Sequence, residues 1–290
     1  MSQEKIAVVT GASSGMGKLT AIRLAEKGYK VAALDVSKDA LDELEKEVTK
    51  ITSFVCDISN GKQVEDTLKS VEVKLGPVDR LVNAAAIMPL GGLNDMSIDL
   101  IIKMMRINYE GTVYLTKYLV PKMVERKSGE VILFGSVAGD IPLPASGAYS
   151  ASKAAVNTYV NHLSHENRNN VIKILLVSPH VVNTPLLDTS KTGMAITMGG
   201  GNSKPSAMDK LVAQPEFILD CIDKALVKNQ SEIHPGIFPK VSILIYKLFP
   251  KLYWKFVSDA TDKMITISNK IKAKQKKSDT SKVNESVESN

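Results

Sequence analysis

Short apolar runs alternate with amphipathic helical patterns along most of this chain. The apolar runs are Ile6–Thr10, Lys30–Leu34, Thr52–Cys56, Arg80–Asn83, Glu130–Phe134 and Lys173–Ser178. The helical patterns that fill the gaps include Gly15–Lys27, Ala40–Val48, Val64–Leu75, Ile98–Ile107, Thr112–Glu125 and Ala148–Asn167. Uninterrupted apolar strands that alternate with helices are typical of a parallel sheet covered on both faces. The sequence therefore predicts an α/β protein with a single-domain, doubly wound parallel sheet.

Length and composition narrow the class of protein further. The 290 residues suit one such domain, and no apolar stretch approaches the roughly 20 residues of a membrane-spanning helix. The N-terminal residues lead straight into a strand without a signal-peptide pattern, so a cytoplasmic location is expected. The two cysteines and four histidines have neither disulfide-scaffold nor metal-ligand spacing, so we expect no metal. Nothing resembles a nucleic-acid recognition module.

The first apolar run leads directly into a glycine-rich turn followed by a helix. Glycines in such a turn allow the backbone to approach a pyrophosphate, which then lies on the helix N-terminus. The strand–turn–helix context favours a dinucleotide site of the Rossmann type over a plain connecting turn. The residues expected to contact the cofactor here are Gly11, Ser13, Ser14, Gly15, Met16 and Gly17.

Asp35 ends the second predicted strand and bears on the choice of cofactor. A carboxylate at this position can accept hydrogen bonds from the adenosine ribose hydroxyls and would repel a 2′-phosphate. Lys18 and Lys38 are near in sequence, so NADP stays an alternative. The prediction is NAD in preference to NADP.

Tyr149 and Lys153 are four residues apart in a predicted helix, and Ser136 precedes Tyr149 by thirteen positions. A cation beside a phenol favours the phenolate and lowers its pKa from about 10. Such a phenol can move a proton on or off an alcohol oxygen near neutral pH. Taken alone, a tyrosine and a lysine at this spacing can also be no more than a solvated helix face.

Together these residues resemble the short-chain dehydrogenase/reductase family in its single-domain form, over about residues 4–235. The motifs occur in the family's order. They are Thr10-Gly11-x3-Gly15-x-Gly17, Asp57, Asn83-Ala84-Ala85, Asn108-x2-Gly111, Ser136, Tyr149-x3-Lys153 and Pro179 through Thr184.

The resemblance implies an NAD(P)-dependent oxidoreductase that interconverts a secondary alcohol and a ketone. It implies that Tyr149 is the general acid/base, while Lys153 lowers its pKa and holds the nicotinamide ribose. Ser136 would orient the substrate oxygen, and Asn108 would hold a water that relays protons. Contacts with the cofactor are further implied for Asp57, Ile58, Asn83, Ala84, Ala85, Tyr149, Lys153, Pro179, Val182 and Thr184.

The resemblance also implies a homodimer or homotetramer, with the helices of Ile98–Glu125 and Ala148–Asn167 at the interface. A different class of protein has to be weighed against the enzyme. A cofactor-binding regulatory or scaffold protein of the same fold could have lost turnover.

Two positions depart from the family pattern. Ala86 and His180 stand where the family usually has glycine, the latter directly after Pro179. If that position required a positive φ, a histidine would be strained there. The His180 side chain could project toward the nicotinamide or substrate, or it could be an ordinary loop residue.

The loop from Leu186 to Leu211 is expected to be a substrate lid. It contains leucines, methionines and a Gly199–Gly201 hinge, and no basic cluster accompanies Ser136 or Tyr149. An apolar, steroid- or lipid-like alcohol or ketone is therefore the expected substrate.

The C-terminal part carries the net positive charge of the chain. Residues 240–277 contain ten lysines against two aspartates, whereas residues 1–239 are balanced. Within 238–257, aromatic residues alternate with lysines, and Pro250 is expected to divide the segment into two short pieces. This segment could lie in a membrane interface, or it could pack over the substrate site or a partner subunit.

The predicted organisation therefore has three parts. Residues 1–235 form the catalytic domain, 236–271 a basic and aromatic helical extension, and 272–290 a disordered tail.

Overall fold

A parallel seven-stranded sheet forms the centre of the structure, a computed structural model that describes residues 4–186, 212–263 and 265–266. The strands are β1 (Ile6–Thr10), β2 (Lys30–Asp35), β3 (Ile51–Val55), β4 (Arg80–Asn83), β5 (Glu130–Phe134), β6 (Lys173–Val177) and β7 (Glu232–Ile233). Their order in the sheet is β3-β2-β1-β4-β5-β6-β7, and every pairing is parallel. The direction of winding therefore reverses between β1 and β4, where ligands bind in sheets of this kind.

Helices cover both faces of the sheet. They are α1 (Gly15–Glu26), α2 (Lys38–Glu47), α3 (Gly61–Lys74), α4 (Ile98–Met105), α5 (Gly111–Glu125), α6 (Gly147–Glu166), α7 (Pro215–Val227) and α8 (Phe238–Leu248), followed by α9 over residues 250–263. Apolar residues of α1, α2 and α7 pack on one face, and those of α3, α5 and α6 pack on the other. The predicted doubly wound α/β fold is confirmed.

The inner positions of the central strands are apolar because both faces of these strands are buried. In β1, Ala7 and Val9 contribute to the core on the α1 side, while Val8 between them contributes to the core on the α5 side. Successive side chains of a strand point to opposite faces. A strand between two helical layers thus needs apolar residues at consecutive inner positions, which is the pattern seen in the sequence.

Between α4 and α5 the prediction was wrong, because the two helices are continuous. A π-helical turn, Arg106–Glu110, joins them where the sequence suggested a break. The Thr112 hydroxyl donates to the Asn108 carbonyl at 2.8 Å, which pairs a carbonyl of this turn. Gly111 permits close packing, since a Cβ there would lie 2.7 Å from the Ile58 Cδ1.

Two elements went unassigned in the sequence. Strand β7 has only two residues, too few to show a pattern. Helix α7 does have a helical apolar spacing, at Ile218, Leu219, Ile222, Ala225 and Leu226. The remaining elements from β1 to β6 begin and end within three residues of the prediction.

The C-terminal extension forms two helices that return to the sheet's carboxyl edge. Helix α8 ends at Leu248, and the Pro250 expected to interrupt the segment opens α9. The Phe238 ring packs edge-on against His180 at 4.7 Å between centroids, and the Ala145 amide donates to the Thr261 hydroxyl at 3.3 Å. Within the described ranges, none of the helices combines the length and hydrophobicity needed to cross a membrane.

Two predicted segments fall outside the described residues. These are the lid beyond Leu186, up to residue 211, and the tail over 272–290.

Core packing makes a direct prediction for stability. Leu68 on α3 is fully buried, so Leu68→Ala should lower the free energy of unfolding by about 3 kcal/mol through lost burial and a residual cavity. Urea denaturation followed by circular dichroism measures this. The matched control is Leu252→Ala in α9, where the side chain is 66% exposed and the change should stay below about 0.5 kcal/mol. Equal losses for the two variants would contradict the prediction.

Candidate active site

The glycine turn after β1 has backbone angles and close contacts that exclude a side chain at three positions. Gly11 and Gly15 have φ values of +64° and +52°, in the left-handed region that favours glycine. A Cβ on Gly17 would lie 2.0 Å from the Gly11 carbonyl oxygen. The three glycines are therefore fixed by geometry, two by their φ angles and the third by the close approach of α1 to the turn.

The turn lies against two other predicted cofactor segments. A Cβ on Gly11 would lie 2.9 Å from the Ala85 backbone, and 3.2 Å from that of Ala84. A Cβ on Gly15 would lie 3.4 Å from the Thr184 Cβ. The glycine turn, the end of β4 and the segment after β6 therefore meet at one place.

The N-terminus of α1 suits an anion. Ser14 is its N-cap and makes no side-chain capping bond, and the first turn of the helix contains no acidic residue. Amides of a first turn lack partners within the helix and favour negative charge. Met16, also predicted to contact the cofactor, packs partly against the core below the turn.

Asp35 is joined to the glycine turn by hydrogen bonds. Its carboxylate accepts from the Ser13 amide at 3.2 Å and from the Ser37 amide at 3.1 Å. Lys18 and Lys38 were the reason for retaining NADP as an alternative cofactor, and both are paired with acids. Lys18 lies 3.1 Å from Glu47, and Lys38 contacts Asp42.

The other predicted cofactor residues occupy loops at the same edge of the sheet. The Asp57 carboxylate accepts from the Ser59 amide at 2.9 Å, and Ile58 is buried against Gly111. The Pro179 carbonyl accepts from the Val137 amide at 3.1 Å, and Val182 forms a bridge with Ala213. Their contacts with a cofactor stay predictions.

Tyr149, Ser136 and Lys153 form a buried group after β5 and at the start of α6. All three side chains are less than a tenth exposed. The Ser136 hydroxyl bonds with Tyr149 and also accepts from the Ala138 amide at 3.1 Å. The Lys153 ammonium donates to the Phe134 carbonyl at 2.7 Å and lies 5.9 Å from the centre of the Tyr149 ring. The structure thus brings the predicted acid/base set together.

The sequence predicted that Lys153 lowers the pKa of Tyr149. For the groups of the protein itself this prediction is wrong, because burial has the larger effect. Burial raises the pKa of Tyr149 to about 12, and the hydrogen bond with Ser136 opposes that rise only in part. Burial also lowers the pKa of Lys153 to about 8. Desolvation disfavours the charged form of each group, which outweighs their mutual attraction at this separation. Tyr149 is therefore a neutral phenol at neutral pH, ready to donate a proton.

A chain of buried hydrogen bonds connects the glycine turn to the helix that carries Tyr149. The Thr10 hydroxyl donates to the Asn83 side chain, which in turn donates to the Thr112 hydroxyl at 2.9 Å. The Thr112 hydroxyl donates to the Asn108 carbonyl at 2.8 Å. The Asn108 side chain then donates to Ser152 at 2.9 Å, and the Ser152 hydroxyl donates to the Tyr149 carbonyl at 2.8 Å. Thr112 and Ser152 were not identified from the sequence as site residues, and Thr10 was named only as the first position of the glycine motif. Nothing in their spacing distinguishes them from ordinary core hydroxyls.

Asn108 uses its side chain for structural bonds. Its oxygen accepts from the Ile87 amide at 2.9 Å, and its nitrogen donates to the Ile87 carbonyl at 3.0 Å as well as to Ser152. These bonds join the segment after β4 to α6. The water relay expected of Asn108 stays a prediction.

A second hydrogen-bonded group holds the loop that carries Ser136. The Asn157 oxygen accepts from the Ser136 amide at 3.3 Å, and its nitrogen donates to the Ser136 carbonyl at 2.9 Å and to Asp140 at 3.0 Å. His234 lies 3.0 Å from the other Asp140 oxygen. Sequence reasoning missed this group, although Asn157 lies one helical turn after Lys153.

Apolar side chains surround the Tyr149 phenol. Tyr149 shares a cluster with buried Met104, Ala138 and Ala148. The partly exposed members of the same cluster are Ile87, Met88, Met96, Ile101 and Leu143. The space beside the phenol is therefore bounded mainly by apolar and adaptable side chains.

The two departures from the family pattern cause no backbone strain. Neither Ala86 nor His180 is among the residues with positive φ. The His180 ring packs against Phe238, and burial lowers its pKa to about 4, so it is neutral at neutral pH. Among the described residues, its Nδ1 finds no hydrogen-bond partner.

Comparison with known proteins agrees with the family resemblance seen in the sequence. The family model described as short chain dehydrogenase matches residues 5–195. A dehydrogenase/reductase SDR family protein 7-like of Anopheles gambiae is 30% identical over 270 residues, which cover 90% of this chain and 84% of that protein.

Two solved structures share the fold. A short chain dehydrogenase/reductase from Burkholderia phymatum in complex with NAD aligns with a TM-score of 0.74 at 23% identity, covering 86% of this chain and 95% of that one. The closed form of a serine dehydrogenase complexed with NADP+ aligns with a TM-score of 0.70 at 25% identity, covering 79% and 94%.

The bonds of Asn157 predict a stability effect. Asn157→Ala would leave the buried Ser136 amide without a partner, while the Ser136 carbonyl would keep the Gly139 amide. It would also remove the bond to Asp140, so the free energy of unfolding should fall by about 2 kcal/mol. The control is Asn161→Ala, the same change at an exposed position of α6, which should have little effect. Urea denaturation of both variants decides the matter. If Asn157→Ala were as stable as Asn161→Ala, these bonds would not support the loop.

Proposed function

Because this chain belongs to the short-chain dehydrogenase family of oxidoreductases, we propose that it interconverts a secondary alcohol and a ketone with a nicotinamide cofactor. The observation that carries the proposal is the buried group of Ser136, Tyr149 and Lys153, which a chain of hydrogen bonds connects to the glycine turn. A hydroxyl donor, a neutral phenol and an ammonium at one place are what a carbonyl oxygen needs when it becomes an alcohol.

The residues at the switch point fit a dinucleotide. The glycine turn leaves room for a pyrophosphate at the α1 N-terminus, and Asp35 stands beside it for a ribose. The cofactor, when bound, supplies or takes the hydride. We propose as its contacts Gly11, Ser13, Ser14, Gly15, Met16, Gly17, Asp35, Asp57, Ile58, Asn83, Ala84, Ala85, Tyr149, Lys153, Pro179, Val182 and Thr184.

The side chains of the site divide the proton chemistry among them. Ser136 orients the substrate oxygen: its own oxygen accepts from the Ala138 amide, and its proton, which faces Tyr149, can be donated to the substrate oxygen instead. In reduction, the Tyr149 phenol donates its proton to the carbonyl oxygen as a hydride reaches the carbonyl carbon. Lys153, with a pKa of about 8, then returns a proton to the phenolate. Oxidation of the alcohol reverses these steps.

NAD is the proposed cofactor in preference to NADP. Asp35 places a negative charge next to the glycine turn, where a 2′-phosphate would be repelled. Lys18 and Lys38 face carboxylates instead, which reduces the positive charge on offer to such a phosphate.

An apolar substrate of steroid or lipid type fits the cluster around Tyr149. Its exposed members are aliphatic residues and methionines, which adapt to bulky apolar shapes. We further propose that residues 1–235 form the catalytic domain and 236–271 an extension. The enzyme would be a homodimer or homotetramer through α4, α5 and α6, and Ile98 and Ile102 on α4 are exposed apolar residues consistent with such contacts.

The function is tested by removing one oxygen atom. Tyr149→Phe should reduce turnover at least 100-fold, as expected for loss of a general acid, while NADH affinity stays unchanged. Turnover is followed at the NADH absorbance with a panel of hydrophobic ketones and secondary alcohols, and affinity by NADH fluorescence.

The control for this variant is Tyr159→Phe, the same change on the same helix at a hydroxyl that bonds Thr116. Turnover by Tyr149→Phe equal to that of the control would contradict the proposal. NADH binding by the unaltered protein without turnover of any compound would favour the regulatory or scaffold alternative.

The cofactor preference is tested at Asp35. Asp35→Asn keeps an acceptor oxygen for the turn but removes the charge, so the ratio of the NADP+ to the NAD+ dissociation constant should fall at least about tenfold. Asp66→Asn on α3 removes the same charge at a remote exposed site and controls for the overall field. An unchanged ratio in Asp35→Asn would exclude this role.

A further inference from the structure

The C-terminal helices α8 and α9 expose many large apolar side chains. We call this set the C-terminal apolar face and define it by nine residues that are 42–74% exposed: Ile237, Val241, Leu244, Ile245, Leu248, Phe249, Leu252, Trp254 and Phe256. Monomeric proteins rarely expose a contiguous apolar patch of more than a few hundred Å² without a binding role.

The orientation of α8 is the reverse of that in an ordinary surface helix. Ile237, Val241, Leu244, Ile245 and Leu248 follow helical spacing and lie on its outer side. The residues buried beneath the helix are Pro239 and Ser242. A helix held only by the core would bury its apolar stripe and expose its polar side. The fold therefore presents this stripe outward.

Contacts at both ends hold the face in position. Tyr246 on α8 and Tyr253 on α9 meet at 5.3 Å between ring centroids, which joins the two helices. Phe238 is anchored on His180, and Val257 is buried. Apolar residues stay exposed although the helices that carry them are docked.

The charges around the face select its partner. Lys240, Lys247, Lys251 and Lys255 are exposed, and no acidic residue occurs between positions 237 and 258. A second copy of the chain docked face to face about a two-fold axis would bring two sets of lysines together without a counter-charge. Anionic lipid headgroups supply that counter-charge, while the acyl boundary accepts the apolar side chains.

We propose that the C-terminal apolar face docks on the surface of anionic lipid bilayers. Helices α8 and α9 lie in the plane of the interface, with apolar side chains about 5–10 Å into the headgroup and acyl boundary and the lysines among the headgroups. This proposal does not depend on the proposed chemistry.

Docking in this orientation would also bring the active site to the membrane. The extension contacts two loops of the site, through Thr261 at Ala145 and through Ile265, whose Cδ1 would lie 3.4 Å from a Cβ on Gly92. This added consequence rests on the proposed function: apolar substrates dissolved in the bilayer would be released close to the apolar cluster around Tyr149.

The single tryptophan of the chain makes the proposal directly measurable. Trp254 lies in the C-terminal apolar face and is half exposed. Its emission should shift to shorter wavelength when full-length protein meets phosphatidylcholine vesicles containing about 30 mol% phosphatidylserine. Pure phosphatidylcholine vesicles should give a much smaller shift. Flotation of the same vesicles measures the bound fraction without any substrate or cofactor, so the result is independent of turnover.

Two triple variants separate the apolar and charged contributions. Leu244→Ser with Leu248→Ser and Leu252→Ser should weaken binding to anionic vesicles at least tenfold. The control for it is Val73→Ser with Val171→Ser and Val227→Ser, three exposed valines elsewhere.

Lys247→Gln with Lys251→Gln and Lys255→Gln should remove the preference for anionic over neutral vesicles. Its control is Lys46→Gln with Lys62→Gln and Lys69→Gln, which changes the net charge equally. Circular dichroism checks that each variant is folded.

Three results would overturn the proposal. The first is an unchanged Trp254 emission and no flotation with anionic vesicles. The second is equal binding by the leucine variant and its valine control. The third is a lipid-free emission shift that grows with protein concentration and disappears in the leucine variant, which would make the face a subunit interface instead.

Discussion

The buried hydrogen-bond chain from Thr10 to the Tyr149 carbonyl holds the two halves of the site in one frame. Each of its polar groups lies within the core, where an unpaired group would be costly. A shift of the glycine turn would therefore break bonds at Asn83 and, through Thr112 and Asn108, at the helix of Tyr149. The distance between the glycine turn and the helix that carries Tyr149 is fixed by polar bonds inside an otherwise apolar core.

The parts of the site that could be predicted from the sequence are those whose residue types are unusual for their positions. Glycines at Gly11, Gly15 and Gly17 are visible because no other residue fits their backbone. The Tyr149 and Lys153 pair is visible because helical spacing brings them to one face. Thr112 and Ser152 are not, since a buried hydroxyl acquires its role only from a partner distant in sequence. The π-turn at Asn108 was missed for the same reason, because its bonds are tertiary.

The electrostatics of the site also depend on the fold more than on spacing. A lysine four residues from a tyrosine suggests a lowered phenol pKa, but burial acts on both groups and shifts them the other way. The result is a neutral phenol beside a lysine that loses its proton readily. A donor of that kind suits the reduction of a ketone without further change. To accept a proton from an alcohol, the phenol would need more positive charge near it than Lys153 alone provides.

The C-terminal extension shows how one segment can satisfy the fold and leave a surface for a partner. Its inward contacts are few and specific, at His180, Ala145 and the buried Val257, so docking requires only a small part of its apolar residues. The rest are held outward together with lysines, and acids occur only near the end of α9, at Asp259 and Asp262. Solubility alone would favour polar residues there. The cost of exposing the apolar residues is explained if the surface binds anionic lipid. The same docking would bring apolar substrates to the site, whose walls are themselves apolar.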